Sequence, residues 1–264
     1  MIPIKGSEEI AVMRENGVIL ATVLDRLCDE VMPGRATIEF DRLAEALIVE
    51  SGGEPAFKKF AGFPGTINAS INEEIVHGVP SEERKLREGD LFSIDIGMVR
   101  NGYCVDMART VAVGTISPEA RTLLEIGEES LWQGIKRVRI GNRLSDVSHA
   151  IGSFVEGAGY HVVREYVGHG IGRALHEDPQ IPNYGPPGRG VRLRRGMTMA
   201  IEPMVKTDGL PTKILDDGWT VVTASGGLSV HFEHTVALTD EGVYVLTQGG
   251  DSRRNGDGRN TRQE

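Results

Sequence analysis

Leu91-Phe92-Ser93-Ile94-Asp95-Ile96-Gly97-Met98-Val99-Arg100, then Asn101-Gly102, then Tyr103-Cys104-Val105-Asp106-Met107-Ala108-Arg109-Thr110-Val111-Ala112 is the stretch that decides the fold. Asn-Gly between two apolar runs is the strongest short hairpin signal, because both turn positions need positive φ. With that turn, Arg100 opposes Tyr103, Asp95 faces Ala108 and Asp106 faces Gly97. Side chains alternate along a strand, so both acids point to one face as diagonal neighbours, Cα atoms roughly 7–8 Å apart. Asp is depleted in strands and almost never buried without a partner. Two carboxylates that close repel unless a proton or a cation is shared between them. A solvated sheet face tolerates one such acid, but not readily two among so many apolar neighbours. Metal binding is the sharper reading.

The same pattern returns later in the chain. Leu86-Arg87-Glu88-Gly89 precedes Ile94-Asp95, and Leu193-Arg194-Arg195-Gly196 precedes Ile201-Glu202 with identical spacing. Each copy is followed by a second apolar run with one acid: Asp106 before Thr110-Val111-Ala112, and Glu233 before Thr235-Val236-Ala237. Chance similarity between strands is the plain explanation. Two related halves, each giving a two-acid hairpin to a shared centre, is the stronger one. Four acids and a histidine suit two divalent ions bridged by carboxylates, roughly 3.5–4 Å apart. Oxygen-rich coordination with one imidazole points to Mn, Fe, Co or Zn rather than to a thiolate site. The histidine candidates are His169 and His176, set in Gly168-His169-Gly170-Ile171-Gly172 and Leu175-His176-Glu177, with His77 a weaker third.

Other chemistries find no support. His176-Glu177 lacks the second histidine of the zinc-protease helix motif. No Gly-x-Ser-x-Gly elbow or phosphate-binding loop occurs, and the Gly168–Gly172 run lacks dinucleotide spacing. Cys104 shares the face of Asp106, but reads as a small buried hydrophobe rather than a nucleophile.

The chain has 264 residues, 39% hydrophobic and 25% charged, enough for one large domain or two small ones. The 29 Lys and Arg against 38 Asp and Glu leave a net charge of −9, which argues against broad binding to nucleic acid or anionic membrane. Two cysteines, Cys28 and Cys104, exclude a disulfide framework and favour a reducing compartment. No signal sequence or membrane span is legible, so a cytoplasmic protein is expected. Helices are predicted over Ser7–Met32 with Ser7 as cap, Thr37–Glu50, Ser117 to about Gly141, and Ser145–Gly157. Phe57 to Pro80 reads as strand and loop, and the last third as strand and turn. No linker divides the chain, so residues 1–248 are expected to form one domain. Residues 249–264, without apolar side chains, are expected to form a disordered tail.

Ser70-Ile71-Asn72-Glu73-Glu74-Ile75-Val76-His77-Gly78-Val79-Pro80, Asp95-Ile96-Gly97, Gly102-Tyr103-Cys104-Val105-Asp106, Gly168–Gly172 with His176-Glu177, Ile201-Glu202-Pro203 and Phe232-Glu233-His234-Thr235 together resemble type I methionine aminopeptidases. The likeness runs from about Ile2 to Gln248, and its motifs agree in order and spacing. It implies the α+β pita-bread fold: a curved antiparallel sheet, helices on its outer face, and halves related by a pseudo-twofold. It implies two divalent ions (Co, Mn, Fe, Zn or Ni) held by Asp95, Asp106, His169, Glu202 and Glu233, with Asp106 and Glu233 bridging. By the same resemblance a metal-bridging water or hydroxide attacks the first peptide bond, releasing the initiator methionine of nascent chains. Glu202 would shuttle the proton, His176 would bond the carbonyl oxygen, and His77 would position the substrate backbone. Phe57, Phe60, Phe63, Asn68, Leu175 and Trp219 would shape the side-chain pocket. The first three and Asn68 stand where bacterial relatives often show Cys, Tyr, Tyr and Cys. The family implies a monomer meeting nascent chains, with transient ribosome association. Two other readings fit less well. The proline-directed branch of the fold usually carries a large N-terminal domain, and pita-bread binding modules have lost ligands that are all present here.

Overall fold

The structure, a computed structural model, describes residues 2–249, except the side chains at positions 60 and 61. The expected tail therefore lies, beyond Gly249, outside the described residues. Two helices open the chain, α1 (Ser7–Asp29) and α2 (Thr37–Glu50). Five strands follow: β1 (Glu54–Pro55), β2 (Ile67–Ile71), β3 (Glu74–Val76), β4 (Leu91–Arg100) and β5 (Tyr103–Ala112). After α3 (Pro118–Ile135) and α4 (Leu144–Gly157) come β6 (His161–Val162), β7 (Gly168–Gly170), β8 (Glu177–Ile181), β9 (Thr198–Ile201) and β10 (Met204–Lys206). The chain then forms β11 (Thr212–Ile214), β12 (Val221–Thr223), β13 (Ser229–His231), β14 (Glu233–Thr239) and β15 (Gly242–Val245).

The main sheet is nine-stranded and runs β1-β4-β5-β14-β9-β7-β8, with β2 added on β4 and β15 on β14. Every pairing in it is antiparallel. The Asn101-Gly102 turn is as expected, with φ of 52° and 76°, and it sets Asp95 opposite Ala108 and Gly97 opposite Asp106. Alternation sorts the faces. Ile94, Ile96, Met98, Val105 and Met107 pack with Met13, Leu20 and Leu24 of α1 and Phe40 of α2. Met199, Ile201, Val236 and Leu238 pack with Leu131 and Ile135 of α3 and Val147 and Ile151 of α4. Each such buried side chain contributes about 1.5–3 kcal/mol, so the helices are held to this one face of the sheet. The opposite face carries the acids. This curled antiparallel sheet with helices outside is the pita-bread arrangement.

The internal echo is structural. Helices α2 and α4 are equally long and stand at matching places in the two halves. Their first turns match too: Ala36 N donates to Glu39 Oε1 at 2.8 Å and Arg143 N to Asp146 Oδ2 at 2.7 Å. The bridge Ala36↔Lys85 recurs as Arg143↔Arg192, and Gly34 N→Leu86 O recurs as Gly141 N→Leu193 O. Strand β9 repeats the place of β4, and their antiparallel partners β14 and β5 lie side by side at the seam; β10 to β13 come between β9 and β14, so the second pair is not the hairpin expected.

Some expectations are corrected. The cap of α1 is Gly6, not Ser7; the Glu9 carboxylate accepts the Gly6 N–H at 2.8 Å. That helix stops at Asp29 rather than Met32, where Glu30 N turns back to Leu27 O and Val31 N to Cys28 O. Helix α3 stops at Ile135 rather than near Gly141, because Arg137 and Val138 bond three residues back and tighten the turn. Ser117 caps it as predicted, accepting from Ala120 N at 3.1 Å. The stretch read as strand and loop opens instead with a π-helical turn, Phe57–Ala61.

Candidate metal centre

Two adjacent rows of residues cross the concave face of the sheet. Asp95 pairs with Ala108, Ala108 with Glu233, and Glu202 lies one residue beyond the His234↔Ile201 pair, which completes the row. Two residues along, Gly97 pairs with Asp106, and Thr235 pairs with Ala200, which pairs with His169. Small residues, Ala108 in the first row and Gly97 and Ala200 in the second, leave room between the acids and the imidazole. Gly97 is required there: a Cβ would come within 2.9 Å of the Phe57 ring, 3.1 Å of Ala56 and 3.3 Å of Asp106 Oδ1.

The residues expected as ligands converge. Ligand atoms of Asp106, His169 and Glu233 all lie within 4.8 Å of one another. Glu202 Oε1 is 3.4 Å from His169 Nε2. Asp95, Asp106, His169 and Glu233 are buried, whereas the Glu202 side chain keeps 13% of its surface open. Asp95 Oδ1, Asp106 Oδ1 and Glu233 Oε1 are buried and receive no hydrogen bond. Buried carboxylate oxygens are ordinarily paired, and three unpaired ones aimed at one place fit a cation. The imidazole fits as well. His169 Nδ1 lies 2.9 Å from Gly170 O, and a carbonyl only accepts, so Nδ1 carries the proton and Nε2 offers its lone pair to the cluster.

The electrostatics agree. With no cation, burial pushes Asp95 up to about 6 and Glu202 up to about 8. Asp106 and Glu233 rise well above the ordinary carboxylate range, through burial first and repulsion by neighbouring acids second, chiefly Asp95 on Asp106 and Asp106 on Glu233. The cluster therefore holds protons where it is built to hold positive charge. Burial, aided by His176, lowers His169 to about 4.

The site opens on a cleft of about 490 Å³, lined by His77, Asp95, Tyr166, His169, His176, Gln180, Glu202, Met204 and His231 among others. The His176 ring stands edge-on to His169, centroids 4.4 Å apart. His77 follows β3 with a left-handed backbone, φ 58°, unusual for a residue with a side chain and a frequent mark of functional sites. Its ring meets Tyr166 at 5.4 Å and Trp219 at 6.5 Å, and burial lowers its pKa to about 4.

The expected pocket residues divide. Phe57, Phe63 and Leu175 are buried in one apolar cluster against which Trp219 packs, with Phe63 and Trp219 rings at 5.3 Å and 85°. Trp219 stands 6.5 Å from the His77 ring, and all four lie outside the cleft lining proper. The side chain of Phe60 lies outside the described residues. Asn68 faces the metal cluster: its Nδ2 donates to Asp95 Oδ2 at 2.5 Å and leaves Oδ1 free. Cys104 is buried, and burial pushes its thiol up to about 12, as fits a core residue.

Two contributors escape a reading of the sequence. His231 is buried with Nε2 3.6 Å from Glu202 Oε2, and its place two residues before Glu233, on the same face, is the signal that points to it. Asn183 Nδ2 donates to the Glu202 carbonyl at 2.9 Å, across a distance no local pattern discloses.

A family model for metallopeptidase family M24 matches residues 11–240. The methionine aminopeptidase of Clostridium acetobutylicum is 50% identical over 247 residues, 94% of this chain and 99% of that one. Methionine aminopeptidase 1 of Bacillus subtilis is likewise 50% identical, over 94% of this chain and all of its own length. Among solved structures, the methionine aminopeptidase of Thermotoga maritima superposes with a TM-score of 0.92 at 43% identity, covering 94% of this chain and 100% of that one. Prolidase from Pyrococcus furiosus shares the fold at a TM-score of 0.76 and 26% identity, but this chain covers only 66% of it. The chain belongs to metallopeptidase family M24, within its methionine aminopeptidases.

Proposed function

We propose that the converging carboxylates, with His169, hold two divalent ions and that the cleft beside them removes N-terminal methionine from nascent proteins and peptides. The observation that carries this reading is the set of buried, unpartnered oxygens on Asp95, Asp106 and Glu233, with Asp106, Glu233 and His169 offering ligand atoms within 4.8 Å of one another. Asp106 and Glu233 are diagonal neighbours across the seam of the two halves, with ligand atoms within 4.8 Å, which suits them to bridge. Asp95 and Asn68 complete one side of the centre, and His169 and Glu202 the other. When bound, divalent ions in such a donor set supply Lewis acidity, lowering the pKa of water and polarising a carbonyl.

The chain's own residues supply the rest. Glu202, which lines the cleft with Asp95 and keeps 13% of its side-chain surface open, takes a proton from the attacking water and returns it to the leaving amine. His176 donates to the carbonyl oxygen as negative charge gathers there. Desolvation in the cleft lowers its pKa, so the neutral ring brings one N–H to that task. His77, held by its backbone at the cleft edge, positions the substrate main chain. The apolar group of Phe57, Phe63, Leu175 and Trp219 receives the methionine side chain. Acting as a monomer in the cytoplasm and meeting chains as they leave the ribosome accords with this substrate. Among the described residues, no helix is long and apolar enough to cross a membrane.

The test is hydrolysis of Met-Gly-Met-Met against Ala-Pro peptides, with added metal and with chelator. Metal-dependent release of methionine, with Ala-Pro left intact, is expected. Turnover of the proline peptide alone would move the protein to the prolidase branch.

A further inference from the structure

The N-terminal arm ahead of α1 reaches across the molecule to the loop that carries His176. We propose that Lys5 is a positioning residue for His176: paired with Glu177, it clamps the 171–177 loop and so sets the imidazole at the cleft. This rests on the role given to His176 above.

The Lys5 Nζ pairs with the Glu177 carboxylate, and the two side chains are only 4% and 10% exposed. A buried ion pair is costly unless its remaining bonds are made, so it marks a place where geometry is specified. Here those bonds go to the loop. Glu177 Oε1 accepts from Arg173 N at 2.8 Å and from Ala174 N at 3.3 Å, tying the carboxylate to the turn just before His176. The ammonium lies against the backbone of Gly172, where a Cβ would collide with both Lys5 and Glu177. That explains the last glycine of the Gly168–Gly172 run.

Both ends of the clamp are anchored. Lys5 N donates to Gly196 O at 2.8 Å, just ahead of β9, and Cys104 N donates to Gly172 O at 2.7 Å from β5. Arg173 stacks its guanidinium on Tyr103 at 4.6 Å and reaches the Tyr103 hydroxyl at 2.5 Å. The His176 side chain itself is exposed on the cleft and touches the His169 ring edge-on. Its placement therefore comes from the backbone on either side: buried Leu175 before it and clamped Glu177 after it. An oxyanion donor works only at its proper distance, and a displacement of about 1 Å can cost on the order of a hundredfold in rate.

The experiment measures kcat, KM and metal content for Lys5→Met, in the wild-type and the His176→Ala backgrounds. Lys5→Met should lower kcat about tenfold or more, with KM within about threefold and metal content unchanged. In His176→Ala, whose own kcat should be down roughly 10²–10³, the further change should have no effect, because the residue being positioned is gone. Glu177→Gln keeps an acceptor for the Arg173 and Ala174 N–H groups while losing the ion pair. It should reproduce both results, and it carries the test should Lys5→Met fail to fold. Unchanged kcat in the folded variants, or losses that multiply in full with that of His176→Ala, would overturn the proposal. If His176→Ala itself left kcat intact, the role of His176 would fall, and the proposal with it.

Discussion

Asp106 and Thr235 exchange two hydrogen bonds across the seam between the halves: Asp106 N donates to Thr235 Oγ1 at 3.0 Å, and the hydroxyl donates to Asp106 O at 2.8 Å. Backbone pairing of β5 with β14 ends one residue earlier, at His234↔Met107. A side chain thus satisfies both main-chain groups of the residue assigned as a bridging ligand. Thr235→Val keeps the shape and strands two buried backbone groups, at about 1–3 kcal/mol each. Denaturant unfolding should show a loss of roughly 2–4 kcal/mol, and Thr235→Ser should recover most of it. A loss below about 0.5 kcal/mol, no more than an ordinary surface substitution causes, would mean that this contact does not hold the seam.

The metal-free protein should have an uncommon pH dependence. Acids whose folded pKa is raised bind more protons folded than unfolded, so stability falls as pH rises between the two values. Glu202 at about 8, with Asp106 and Glu233 also raised, gives such a fall. His77 and His169, lowered to about 4, act oppositely, adding stability as pH rises from about 4 to the ordinary histidine value near 6.5. At about 6.5, the unfolded value, each histidine contribution is already past its steepest rise, and the raised acids outweigh what remains of it. Thermal unfolding of chelated protein should therefore show Tm falling from pH 6.5 to 8, with metal removing most of the slope. A Tm rising over that interval in the metal-free protein would contradict the burial of these acids.

In the function proposed above, the aromatic wall sets side-chain choice. Methionine is unbranched and polarizable, and its sulfur packs well against rings. Met-Gly and norleucine-Gly peptides should be cleaved within about tenfold of each other in kcat/KM, a gap of roughly 1.4 kcal/mol. Ala-Gly leaves the pocket unfilled at roughly 0.8 kcal/mol per missing methylene, and Val-Gly is excluded by its branched shape. Comparable kcat/KM for the Ala, Val and Met peptides would remove Phe57, Phe63, Leu175 and Trp219 from the pocket while leaving the metal centre standing.

Much of this architecture is legible in the sequence itself. The Asn101-Gly102 turn sets the register of β4 on β5, and with it the shared face of Asp95 and Asp106, because turn type and a period of two leave no freedom. The internal echo discloses the second acid-bearing strand pair, though β10 to β13 intervene where a hairpin is expected, and the matched first turns of α2 and α4 extend it to whole halves. Helix ends are less readable. The closing turns of α1 and α3 are decided by where the chain must travel next, not by propensity. Asn68 reads as a pocket residue by position, yet its amide turns to Asp95, a choice made by cross-strand pairing with β4. Asn183 and Lys5 act through partners distant in sequence, which no local pattern encodes.

The most direct test is to strip the protein with chelator, titrate it with a single divalent metal, and follow bound metal and Met-Gly-Met-Met hydrolysis together. Activity should be absent at the start and rise with occupancy, saturating at two ions per chain. Asp106→Ala and Glu233→Ala should lose both occupancy and turnover, since each is assigned to both ions. Full hydrolysis by the stripped protein, or normal metal content and turnover in either variant, would contradict the account.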